Sequence, residues 1–377
     1  MAQFFKFLFA SCLGTLLALL VLFFFTIGGL SGLIGSQQQA IKIKPNSVLH
    51  LKLDQAVPEL MDNVDNPPFD LNAPSILGLH DILQSIEVAA TDDNIKGIFL
   101  ESSIVMTGFT ANAAIREALL SFRESGKFVV AYAPFYSQGA YYLATASEEI
   151  NLAPLGIVDW RGLSAQYPFF KDMLDRIGVK FEVFYAGKYK SASEPYRRNS
   201  MSPENREQTR AFLDELWRLM LDDVAATRKL STSELRELAN TYTGIKTEAA
   251  LSSGLVDRVV YREAVIDGLQ ERLGLDEDDK VELVKLADFH AAKVATQRNT
   301  EGGKIAVLIA EGIIIDGKGQ AAQIGDKTYV KLIEEIAEDD KVKAVVLRIN
   351  SPGGSAMASD HIWQALMDLK GTGKPLV

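Results

Sequence analysis

Asn350-Ser351-Pro352-Gly353-Gly354-Ser355 follows an apolar run, Val342–Ile349, and precedes a segment with helical spacing. Two glycines at a strand-to-helix turn let backbone N–H groups approach a ligand oxygen closely, so Gly353 and Gly354 could supply part of an oxyanion hole. Pro-Gly-Gly is equally an ordinary turn, and the pattern alone does not separate the two readings. A second cluster, Ala186-Gly187-Lys188-Tyr189-Lys190-Ser191-Ala192, lies just beyond an apolar stretch around Phe184. The single cysteine, Cys12, sits in an apolar N-terminal segment, which removes thiol chemistry from the rest of the chain. His50, His80, His290 and His361 are scattered with no i,i+4 pair and no cysteine partner, a spacing of surface or packing residues rather than metal ligands. A lysine is then one of the few remaining groups able to act as a base near neutral pH, provided that burial keeps it uncharged. In an ordinary loop it is solvated. The cluster lacks the Gly-x-x-x-x-Gly-Lys-Ser/Thr spacing of a phosphate loop. A third candidate is Ser137, at a turn from an apolar run into Gln138-Gly139-Ala140-Tyr141, where a serine either caps a helix or serves as a nucleophile on a tight turn.

The elements that must position these groups recur along the chain. Residues 82–130 and 329–377 align without a gap at a constant offset of 247, with 14 identities in 49 pairs. Chance would give about three, so the pattern is a long-period duplication rather than a solenoid. Hydrophobic spacing predicts a strand at Val48–Leu53, a helix at Leu79–Ala90, a strand at Ile95–Leu100, a helix at Ala111–Ser125 and a strand at Phe128–Ala133. The same order recurs as Ile305–Ile309, Thr328–Ala337, Val342–Ile349, Ala358–Leu369 and Pro375–Val377. Such alternation predicts an α/β fold with largely parallel strands. Between the copies come a strand candidate at Phe181–Phe184 and a long helix that Ser202 can cap, with Pro203 in its first turn and Phe212, Leu216, Leu219 and Val224 facing inward. Helices follow at Thr232–Ala239 and Thr247–Leu251, the second closing at Gly254. The acidic cluster Asp276–Asp279 and the polar run Ala291–Gly303 read as a turn and a linker. Opposite Ser351–Gly354 the first copy has Ile104-Val105-Met106-Thr107, with no glycine pair.

From Phe7 to Ile34 no residue is charged, a length sufficient for a membrane-spanning helix, which needs about 20 apolar residues. A cleaved signal peptide is the rival reading, with a typical apolar core of about 7–15 residues. The net charge of −10 argues against nucleic acid or anionic lipid as the ligand of the globular region.

Tyr189-Lys190-Ser191-Ala192 with Glu194-Pro195, Asn350-Ser351-Pro352-Gly353-Gly354-Ser355 and Gly254-Leu255-Val256-Asp257 together resemble the long, two-repeat form of signal peptide peptidase A, or protease IV. That family is related to the Clp protease and crotonase folds. The resemblance implies duplicated Clp protease/crotonase-like domains after an N-terminal transmembrane anchor: anchor 1–36, first repeat 45–290, linker 291–303, and second repeat 304–377, incomplete. It also implies a Ser/Lys dyad in which Lys190 is the base and Gly353 and Gly354 help hold the oxyanion, with no metal or cofactor. The family's serine lies in a Ser-Gly-Gly-Tyr element about a dozen residues beyond the Gly-Lys-Pro matched by Gly373-Lys374-Pro375, so the expectation is that it falls after Val377. In the first repeat Gln138, not Ser137, occupies the corresponding slot. The implied substrates are extended apolar peptides, in particular released signal peptides. A homo-oligomer with an extracytoplasmic body is implied too. A crotonase-like acyl-thioester enzyme and a non-catalytic membrane scaffold are the alternatives.

Overall fold

The computed structural model describes residues 2–35, 41–60, 77–276, 278–295, 302–320 and 322–377. It forms two units, Met1–Ile43 and Lys44–Val377. In the first, the backbone from Ala2 to Gly35 is one helix. Side chains are described for only part of it, and among the described residues no helix is long and apolar enough to cross a membrane.

The second unit contains the strands β1 (Ser47–Leu51), β2 (Ile95–Glu101), β3 (Phe128–Ala133), β4 (Glu149–Leu152), β5 (Arg258–Val259) and β6 (Leu283–Lys285). They make one sheet in the order β5-β4-β3-β2-β1-β6, and every pairing is parallel. Parallel neighbours require crossovers, and helices Leu79–Thr91, Phe109–Glu124 and Gln138–Ala144 supply the first three. One face of the sheet packs Val48, Phe99, Val130 and Tyr132 against Val265 and Leu269 of helix Arg262–Leu273. Strands covered on both sides read as near-continuous apolar runs, as Ile98-Phe99-Leu100 and Val129-Val130-Ala131 do.

Beyond these lie β7 (Lys304–Glu311), β8 (Ile313–Ile315), β9 (Gln323–Gly325) and β10 (Val342–Asn350). β7 pairs with β10 and β8 with β9, both in parallel. Leu308, Ala310 and Val345 pack with Tyr329 and Ile333 of helix Asp326–Glu338 and with Ala365 and Leu369 of helix Ala356–Gly371.

Two pairs of helices recur at the 247-residue offset. Helices Leu79–Thr91 and Phe109–Glu124, shifted by 247, coincide with Asp326–Glu338 and Ala356–Gly371 at both ends. Gly126 and Gly373 follow the second helix of each half at φ 85° and 84°, a left-handed conformation that favours glycine. The next residue is a lysine that turns back to the end of the preceding crossover helix. Lys127 Nζ donates to the Ala89 and Asp92 carbonyls, and Lys374 Nζ to those of Ile336 and Asp339.

Three local expectations need correction. Phe181–Phe184 is not a strand: among the described residues it has no neighbouring strand to take its backbone bonds, and Phe184 is 96% exposed. On the helix Pro203–Arg228, Phe212 and Leu219 are exposed. The buried apolar residues are Met220, Leu221 and Val224 in its C-terminal half, where Trp217 meets Trp160 at 4.9 Å, while near its start the buried residue is the polar Asn205. The run read as a linker is structured at its start, where helix residues continue to Val294, which is buried. Residues 296–301 fall outside the described ones.

Candidate active site

The Asn350–Ser355 turn sits at the C-terminal end of β10 and leads into the helix Ala356–Gly371. This edge of a parallel sheet is where open α/β folds commonly place ligands. Ser355 caps the helix by accepting from the Ala358 N–H at 3.2 Å and donates to Asp316 at 3.0 Å. The turn is held by β8. The Ile314 N–H donates to the Gly353 carbonyl at 3.0 Å and the Ser355 N–H to the Ile314 carbonyl at 2.9 Å. Gly353 has φ 100°, and its N–H donates to Ser351 Oγ at 3.1 Å. Gly354 has no room for a side chain, since a Cβ would stand 2.0 Å from the Ile314 carbonyl oxygen. Its N–H makes no hydrogen bond among the described residues. Among the described residues the Gly354 N–H is thus unengaged, as are the Ala356 and Met357 N–H groups of the helix's first turn, and all three residues are exposed at the positive end of that helix, where a negatively charged oxygen could be received.

Lys190 lies in an exposed loop just ahead of the short helix Glu194–Arg197. Among the described residues its side chain has no hydrogen bond or ion pair, and no hydrogen bond joins this loop to the Gly353-Gly354 turn. What fixes the loop is Glu194, which is 2% exposed. Its carboxylate accepts from the Ser202 N–H at 3.1 Å and from Asn205 Nδ2 at 2.9 Å, at the start of the helix that Ser202 caps. Burial would raise the Glu194 carboxyl, but the hydrogen bonds from Ser202 and Asn205 outweigh it and hold the group below its ordinary value. Sequence reasoning noted Glu194 only as part of a motif. Its pairing with a helix start eight residues later was the available signal.

Ser137 is a cap. Its Oγ accepts from the Ala140 N–H at the start of helix Gln138–Ala144. Gln138 has both ends engaged: Oε1 accepts from the Arg161 and Gly162 N–H groups, and Nε2 donates to the Gly162 carbonyl. Position 138 thus tethers a neighbouring loop.

Three histidines stand against carboxylates. His50 Nε2 lies 2.7 Å from Glu101, His361 Nδ1 2.7 Å from Asp326, and His290 Nε2 3.9 Å from Asp81. Glu101 also takes a two-pronged bond from Arg262. Burial would raise this carboxyl, but His50 and Arg262 bring it down to about 2. No group of three His, Cys, Asp or Glu among the described residues could hold a metal ion.

A sheet of parallel strands crossed by helices, with an open backbone donor at a strand-to-helix turn, defines an α/β protein. Comparison with known proteins makes the class specific. Residues 121–276 match peptidase family S49. Protease 4 of Haemophilus influenzae is 35% identical over 315 residues, 81% of this chain and 51% of that protein. Protease 4 of Salmonella typhi is 36% identical over 79% of this chain and 49% of its own length. The chloroplastic serine protease SPPA of Arabidopsis thaliana is 31% identical over 80% and 45%. The chain belongs to the protease IV family of S49 serine peptidases, and it spans about half the length of these curated relatives.

Proposed function

We propose that the full-length protein is a membrane-anchored serine endopeptidase that degrades released signal peptides through a Ser/Lys dyad shared between two repeats. The observation that carries this reading is the unengaged Gly354 N–H at the N-terminal end of helix Ala356–Gly371. By the family resemblance, the nucleophile is a serine outside residues 1–377. Lys190 takes the proton from that serine as its Oγ attacks the substrate carbonyl. The carbonyl oxygen, now negative, accepts from the Gly354 N–H. Collapse expels the amine, which takes up the proton, and leaves an acyl-enzyme that water hydrolyses. No metal or cofactor takes part.

A lysine base must be shielded from water, whereas Lys190 is exposed in this chain. The reading therefore requires the loop to be covered in the full-length homo-oligomer. Around it Phe184 is 96%, Tyr185 51% and Tyr189 50% exposed, the apolar surface that such a cover would bury. The 247-residue periodicity of elements supports duplicated Clp protease/crotonase-like domains, at 45–290 and from 304 onward, joined through 291–303. The helix Ala2–Gly35 is the proposed single-pass anchor, holding an extracytoplasmic body near peptides in the bilayer. Incubating the full-length protein with a synthetic apolar signal peptide in detergent tests the reading. Cleavage lost in Lys190→Ala with assembly unchanged supports it, and cleavage that persists in Lys190→Ala overturns the dyad.

A further inference from the structure

Glu59 and Arg348 stand 289 residues apart in sequence, yet they form a two-pronged ion pair. Arg348 Nε donates to Glu59 Oε2 at 2.9 Å and Nη2 to Oε1 at 2.7 Å. Glu59 belongs to the chain that leaves β1, and Arg348 is two residues ahead of Asn350 on β10. The Glu59 side is firmly mounted. The residue is 9% exposed, the Pro58 carbonyl accepts from the Leu79 N–H at 2.8 Å at the start of helix Leu79–Thr91, and the Glu59 N–H donates to Glu311 Oε2 at 2.8 Å. Glu311 pairs in register with Asn350 across β7 and β10, and Asn350 Nδ2 reaches Glu311 Oε1 at 3.4 Å. The Asn350 carbonyl then accepts from the Gly312 N–H at 2.9 Å. Glu59, Glu311, Arg348 and Asn350 thus form a polar bracket under the turn that presents the Gly354 N–H.

The corresponding position in the first half underlines the point. Arg348 minus the 247 offset is Glu101, which carries the opposite charge and is likewise held by a two-pronged bond, from Arg262 of its own half. β2 and β10 are therefore each braced near the C-terminal end by a carboxylate–guanidinium fork, a geometry that fixes orientation as well as distance. In the second half the partner comes from the first. On β7 and β10 Ile305, Val307, Val346 and Ile349 are exposed.

Resting on the peptidase reading above, we infer that Glu59 is a positioning residue: through Arg348 and Glu311 it holds the Asn350–Gly354 turn in the orientation that stabilises the oxyanion. A segment of the first repeat thereby sets the aim of a donor carried by the second. The fork does not touch the substrate. Its effect is confined to how well the turn is held, and misplacing a catalytic group by about 1 Å costs on the order of a hundredfold.

The test uses the full-length protein and its Glu59→Gln, Arg348→Gln and doubly substituted variants, with three readouts: amide exchange over residues 349–355, the rate of labelling by a fluorophosphonate, and kcat and KM on a peptide. In Glu59→Gln exchange over 349–355 is expected to accelerate, labelling and kcat to fall about tenfold, and KM to stay within about twofold. The double variant is expected to be no slower than the single ones, because one fork is lost in each case. Unchanged exchange in Glu59→Gln overturns the inference, and so does faster exchange with unchanged labelling. Failure of the peptidase reading is a separate result: the wild-type protein itself is not labelled, while exchange over 349–355 still responds to Glu59→Gln.

Discussion

Replacing Gly354 by alanine asks the most of the proposed oxyanion site for the smallest chemical change. The added methyl would stand 2.0 Å from the Ile314 carbonyl oxygen, about 1.4 Å inside ordinary contact. Backbone on both sides prevents a side-chain adjustment, so the turn or β8 must shift by roughly that distance. The shift breaks two backbone hydrogen bonds, Ile314 to Gly353 and Ser355 to Ile314. At about 1 kcal/mol each, with strain added, destabilisation of about 2–4 kcal/mol follows. The unengaged N–H moves with the turn, and losing one such donor costs about 10²–10³ in kcat. Gly353→Ala is the internal comparison. No atom lies within 4 Å of its Cβ, and the cost is that of a non-glycine residue at φ 100°, about 1–2 kcal/mol. In the full-length protein, fluorophosphonate labelling and thermal unfolding of both variants measure the two effects. If Gly354→Ala is labelled within threefold of the wild-type rate and melts with it, the close packing of Ile314 on Gly354 plays no part in the site.

Glu101→Gln should flatten the acid limb of stability. The Glu101 carboxyl lies at about 2, below its ordinary 4.5, so the stability it contributes is complete above pH 4.5 and is lost as the pH falls toward 2. The contribution is on the order of 2 kcal/mol. Urea unfolding of the wild type and of Glu101→Gln from pH 7 to pH 2.5 should show curves that converge at the acid end, and parallel curves would contradict the assignment. Glu194→Gln removes the carboxylate that accepts from Ser202 and Asn205 and should cost about 1–2 kcal/mol. Its diagnostic is faster trypsin cleavage at Lys188 and Lys190, and a cleavage rate equal to wild type would show that Glu194 does not fix the loop. Ser137→Ala should lower stability by about 1 kcal/mol through loss of the helix cap and leave fluorophosphonate labelling unchanged, whereas loss of labelling would make Ser137 the nucleophile.

Much of the architecture was legible because it depends on local chemistry repeated at a distance. The 247-residue offset that aligned Asp92 with Asp339 and Lys127 with Lys374 also aligned the helix ends and the lysine contacts that those residues make. Ser202 before Pro203 gave a helix start, since a side-chain acceptor and a missing N–H are what that position uses. Phe181–Phe184 misled because alternation records apolar content, whereas a strand also needs a neighbour. Phe212 misled in the same way, because helical spacing does not say how far along a helix the core extends. For the site, the Gly353-Gly354 turn was visible as a type of local backbone. The bracket of Glu59, Glu311 and Arg348 was not, because charges 289 residues apart carry no periodic signature.

The central claim, a lysine of the first repeat serving a serine beyond Val377 beside the Gly354 donor, is tested most directly by covalent labelling. The full-length protein and its Lys190→Ala variant are treated with a fluorophosphonate, and the labelled residue is located by mass spectrometry. The account predicts one labelled serine, outside residues 1–377, with labelling abolished in Lys190→Ala and assembly retained. Labelling that survives Lys190→Ala, or that falls on Ser137, would contradict it.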